Sequence, residues 1–121
     1  MSEVLKADVY VDEKALGHKI ESLIDDKTML AIHNLFAKMC DPYVPFLEGP
    51  LSQTVEVMPQ YVRYIQPYAH YQYTGDDFNF TKDYHPLASA RWDQAMLRDQ
   101  RDAFELQVKE ILVRRAKELY G

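Results

Sequence analysis

The chain has 121 residues, 47% of them apolar, and carries 14 basic and 19 acidic side chains for a formal net charge of −5. That length suits one domain, and the apolar share excludes a wholly disordered chain. The negative balance excludes a general electrostatic attraction to DNA or to anionic membranes.

The charge is uneven. Residues 1–60 hold 10 acidic and 5 basic side chains, and residues 61–121 hold 9 of each. An acidic N-terminal half repels nucleic acid or complements a basic partner. The single cysteine, Cys40, permits no intrachain disulfide and no cysteine-based zinc site, and it fits folding in a reducing compartment. Met1 to Lys6 lacks a basic region followed by an apolar run, so it does not read as a signal peptide. No apolar stretch approaches the roughly 20 residues that span a bilayer.

Residues 7–11 alternate, with Val9 and Val11 on one side, and predict a short strand. Asp12 reads as a helix N-cap with Glu13 in the first turn. Leu16, Ile20, Leu23 and Ile24 recur at helical spacing, with Gly17 expected to weaken that helix by up to about 1 kcal/mol. Asp25-Asp26 restarts the pattern, which Leu30, Leu35, Phe36 and Met39 carry to Cys40. One kinked helix or two short ones satisfy this stripe equally. Asp41-Pro42 ends it, since proline disfavours helical geometry in the residue before it.

Pro42, Pro45, Gly49 and Pro50 stiffen a loop over residues 41–51. Residues 53–58 and 61–65 alternate on either side of Pro59-Gln60 and predict a β-hairpin. Residues 67–73 fit a short helical turn or an edge strand. Thr74 to Asp77 reads as a turn, and Phe78, Phe80 and Thr81 as a brief strand. Pro86 suits the first turn of a helix. From Leu87 to Tyr120 there is neither proline nor glycine, which predicts a long helix. Its polar stretch over residues 98–102 predicts either a bend or a departure from the core. Lys109, Arg114, Arg115 and Lys117 near its end favour the helix dipole. They read as a solvated face, or more sharply as a basic patch for an acidic neighbour such as the N-terminal half of another copy.

No chemistry-bearing constellation emerges. His18, His33, His70 and His85 show no metal-ligand spacing, and His85 beside Asp83 reads as a helix entry. Asp25/Asp26 and Asp76/Asp77 read as solvated turn carboxylates, and the calcium-loop spacing is absent. No phosphate-binding glycine loop or serine elbow occurs. Cys40 ends an apolar stripe, where it packs as a small hydrophobe. The reading is therefore no enzyme, no cofactor and no metal. Six of the nine tyrosines fall between residues 61 and 84. Tyrosine is enriched at protein interfaces. The rival is a small nucleic-acid-binding module that stacks bases on Tyr61, Tyr64, Tyr71 and Tyr73, although Arg63 and Lys82 are its only interleaved cations.

Three blocks stand in order: Tyr43-Val44-Pro45 with Gly49, Leu51 and Ser52; Pro67-Tyr68-Ala69 with Tyr71-Gln72-Tyr73; and His85-Pro86-Leu87-Ala88 with Arg91-Trp92-Asp93 and Ala95. Together, over about residues 8–115, they resemble the minor capsid proteins of tailed bacteriophages, which are similar to tail-completion and head–tail connector proteins. The Gly49-Pro50 pair departs from the family's usual lone glycine before leucine. The resemblance implies a single α+β domain over residues 1–121: a small antiparallel sheet packed against an N-terminal helical segment and a long C-terminal helix. It also implies a structural protein of the virion neck, made in the bacterial host cytoplasm. Such a protein assembles as a homo-oligomeric ring with other neck and tail proteins, without membrane or sequence-specific nucleic acid. On this reading Tyr43, Pro45, Tyr68, Tyr71, Tyr73 and Phe78 face neighbours. Pro86, Leu87, Trp92 and Met96 anchor the C-terminal helix to the sheet.

Overall fold

The structure, a computed structural model, describes residues 3–44, 55–65, 69–75, 87 and 89–121, and only the backbone of residues 15, 71 and 72. Two aspartates organise its helical N-terminal part. The Asp12 side chain accepts the Lys14 N–H at 3.0 Å and starts α1 (Glu13–Leu16). Gly17, at φ 73, closes it with its own N–H on the Glu13 carbonyl, so this glycine ends a helix rather than weakening one from within. The Glu13 carboxylate then accepts the Ile20 N–H at 2.7 Å, opening a 3₁₀ turn over Ile20–Ser22. Asp25 caps the next helix through the Thr28 N–H at 2.9 Å, and α2 runs over Asp26–Cys40. Two helices, not one kinked helix, thus carry the apolar stripe.

The sheet has three short strands: β1 (Glu3–Leu5), β2 (Val55–Val57) and β3 (Val62–Tyr64). The hairpin joins β2 to β3 around Pro59-Gln60, with Met58 and Tyr61 exchanging backbone bonds across it. β1 adds to the other side of β3, antiparallel, with Glu3 opposite Tyr64 and Leu5 opposite Val62, for an order β1-β3-β2. The strand expected over residues 7–11 is therefore displaced. Its first N–H, from Ala7, goes to a side chain, Nε2 of His33, rather than to a neighbouring strand. Val9 and Val11 still pack against the core without a ladder.

Residues 69–74 resolve to a helix, α3 (Ala69–Thr74), ending at Gly75 with φ 52. The long helix α4 spans Trp92–Tyr120 and begins later than expected. Arg91 holds φ 46 and ψ 56, a left-handed conformation that no helix passes through, and its N–H is bonded to the Tyr73 carbonyl at 2.7 Å. The polar stretch is indeed a bend: Gln100, at φ −134 and ψ 24, breaks the helical path. The chain then returns to the core, with Phe104, Val108 and Leu112 buried against α2. Phe36 of α2 meets Phe104 edge to face at 6.1 Å. The sheet and both long helices share one apolar core.

Candidate interaction surface

Trp92 is the pivot of the molecule. It is fully buried, and the rings of Tyr64 from β3 and Tyr73 from α3 each meet it edge to face with centroids 5.0 Å apart. Sheet, short helix and long helix therefore converge on one indole. Met96, one turn on, is also fully buried. Tyr73 closes the joint from its far end, donating its hydroxyl to Oδ1 of Asp93 at 2.8 Å. Burial, then the bond to Asp93, pushes that phenol well above its ordinary range. Beneath the joint lie the Cys40 thiol and the Tyr64 hydroxyl, both pushed up chiefly by burial. The Tyr64 hydroxyl and the Trp92 indole N–H are both buried there. Neither group is reachable from solvent, so the joint is a structural hub.

Tyr43 corrects an expectation. It is only 2% exposed and faces inward rather than toward a neighbour. Its hydroxyl donates to Oδ2 of Asp99 at 3.1 Å and accepts from Nε2 of Gln100 at 3.1 Å, and its carbonyl accepts the Ser89 N–H at 3.0 Å. The Asp99 carboxyl is held below its usual range, first by Arg98 and then by Tyr43. Tyr43 thus braces the bend of α4. Tyr73, likewise expected at an interface, is half-buried in the Trp92 joint. Leu87, expected as an anchor, is 49% exposed, because the helix starts five residues later and leaves it in a turn. Pro45, Tyr68, Phe78 and Pro86 lie outside the described residues, as does the strand expected at Phe78 to Thr81, and of Tyr71 only the backbone is described.

Among the described side chains the tyrosine platform of the nucleic-acid rival does not assemble. Tyr64 is 1% exposed, Tyr73 meets Trp92 edge to face, and Tyr61 donates its hydroxyl to Oε1 of Glu56 at 2.8 Å. Asp76, Asp77 and His85 lie outside the described residues. Among the described residues no group of three His, Cys, Asp or Glu side chains converges as a metal would require, and no helix is long and apolar enough to cross a membrane.

Two apolar surfaces that the sequence reading missed are exposed instead. The first is the outer face of the sheet. Side chains alternate across a strand, so Val4, Glu56, Met58, Arg63 and Ile65 point away from the buried Leu5, Val62 and Tyr64. Val4, Met58 and Ile65 are among the exposed large hydrophobics, and Arg63 is tied to Glu56 at 3.1 Å. This face is apolar with its charges paired, which suits a protein neighbour better than a phosphate backbone. The second is the outer side of α4, where Leu106, Lys109, Glu110, Val113, Arg114 and Lys117 line a shallow groove. The alternation of the hairpin and the seven-residue spacing of Leu106 and Val113 were both visible in the sequence. What hid them was that counting aromatics does not tell which side of an element faces out.

A family model described as minor capsid protein matches residues 7–109. No curated protein and no solved structure matches the chain.

Proposed function

This chain belongs to the phage minor capsid protein family, whose members are structural proteins of the virion, and from that premise we propose that it is a neck protein joining head to tail. It works by protein–protein contact, without a catalytic step or cofactor, as a ring of copies set among other neck and tail proteins. It is made in the host cytoplasm before joining the particle. The observation that carries this reading is the outer sheet face, where exposed Val4, Met58 and Ile65 surround a Glu56–Arg63 pair that leaves little net charge. Pro45, Tyr68, Tyr71 and Phe78 are proposed as further contact residues, while Tyr43 and Tyr73 hold the frame from within.

The test is particle assembly. Val4→Asp together with Ile65→Asp should leave the thermal melt of the isolated chain nearly unchanged, since both sites are exposed. Purified particles should then carry much less of the variant chain by mass spectrometry, and infectivity should fall. Normal incorporation of the double variant would remove the sheet face from the reading.

A further inference from the structure

We propose that two copies of the free chain pair through α4, antiparallel, along the side of that helix turned away from α2. Beyond the bend at Gln100 the helix carries two apolar stripes. Phe104, Val108 and Leu112 follow a four-residue step and are buried within the subunit. Leu106, Val113 and Tyr120 follow a seven-residue step on the opposite side; Leu106 is 58% exposed, and Tyr120, although stacked on His18, is 57% exposed. An apolar residue every seventh position keeps one line of the helix toward a partner; a full helix–helix seam carries two per heptad, so this one is narrow. The straight arm, residues 101–120, is about 30 Å long.

Charge selects a second copy as the occupant. Along this side Asp102 and Glu105 come first, Glu105 being paired with Arg101 at 3.7 Å, and the cations Lys109, Arg114 and Lys117 follow, with Glu110 among them. Arg115 is committed inward, to Asp25 and Glu118. A parallel copy sets like charge on like. An antiparallel copy, turned about a two-fold axis near residues 109 and 110, brings Leu106 against Val113 of the second copy and Asp102 against Lys117. The acidic neighbour for the basic patch is thus the first half of the same helix in another copy, rather than the N-terminal half of the chain. A seam of this length is at the small end of protein interfaces, so the pair is weak and concentration-dependent. It also keeps the stripe covered before the chain meets the particle.

Sedimentation equilibrium of the full chain between about 5 and 500 µM should show a monomer–dimer equilibrium with a micromolar-range Kd that weakens with salt. Leu106→Glu should abolish the dimer while leaving the melt unchanged. Asp102→Lys or Lys117→Asp alone should weaken it about fivefold, since each pair occurs twice, and the two combined in one chain should restore it. A chain that stays monomeric throughout overturns the proposal, including the case where crosslinking on particles finds the stripe covered by a different virion protein. A dimer indifferent to Leu106→Glu, or one that the combined reversal fails to restore, overturns it equally.

Discussion

The Tyr43 hydroxyl accepts the side-chain N–H of Gln100 at 3.1 Å, at the very residue where α4 leaves helical geometry. A residue of the 3₁₀ turn that follows α2, Asp41–Tyr43, therefore braces a bend 57 positions away. Tyr43→Phe keeps the buried ring but removes the bonds to Gln100 and Asp99. It should cost about 0.5–1.5 kcal/mol in urea melts, with faster amide exchange confined to the residues around the bend. Unchanged exchange there would detach Tyr43 from the bend.

His33 is buried at the centre of the fold, and its two ring nitrogens serve two different segments. Nε2 accepts the Ala7 N–H at 3.2 Å, and Nδ1 faces the Met58 carbonyl at 2.8 Å. A backbone N–H only donates and a carbonyl only accepts, so the ring is neutral with its proton on Nδ1. His33→Leu strands the buried Ala7 N–H, while the Met58 carbonyl keeps the Tyr61 N–H across the hairpin. The expected loss is about 1–3 kcal/mol for the one orphaned group, together with loss of exchange protection at the Ala7 amide. Retained protection at Ala7 would contradict the stapling role.

Trp92 ties three elements through Tyr64 and Tyr73. Trp92→Ala should cost about 3–5 kcal/mol, as large aromatic truncations in a packed core do. A loss below about 1 kcal/mol in denaturant melts would show that the helix is held elsewhere.

Asp25 caps α2 and pairs with Arg115, and its carboxyl is held down at about 2, first by the Thr28 N–H and then by Arg115. The folded value lies below the ordinary 3.8. Asp25 therefore adds stability above the unfolded value, and that contribution fades as pH falls through the folded one. Asp25→Asn should melt below wild type at about pH 6, with the gap closing as pH approaches about 2. A gap independent of pH would mean that the charge is not what stabilises.

These residues also mark how far the sequence could be read. Caps, turns and the bend are local, and Asp12, Asp25, Pro59-Gln60 and the polar stretch around Gln100 announced them. Strand choice is not local. The alternation at Val9 and Val11 looks as much like a strand as Glu3 to Leu5 does, and the His33 ring, 26 residues from Ala7, diverts the backbone bond that a strand there needs. The tyrosines misled for the same reason. Tyr43 and Tyr73 find their acceptors, Asp99 and Asp93, 56 and 20 positions away. Composition shows many tyrosines but not which of them turn inward.

The proposed place of this chain in the particle is the junction of head and tail. Immunogold electron microscopy of phage particles, using antibody to this chain, tests it most directly. The account expects label at the head–tail junction. Particles with an accessible neck and no label there, while the chain is expressed in the infected cell, would contradict it.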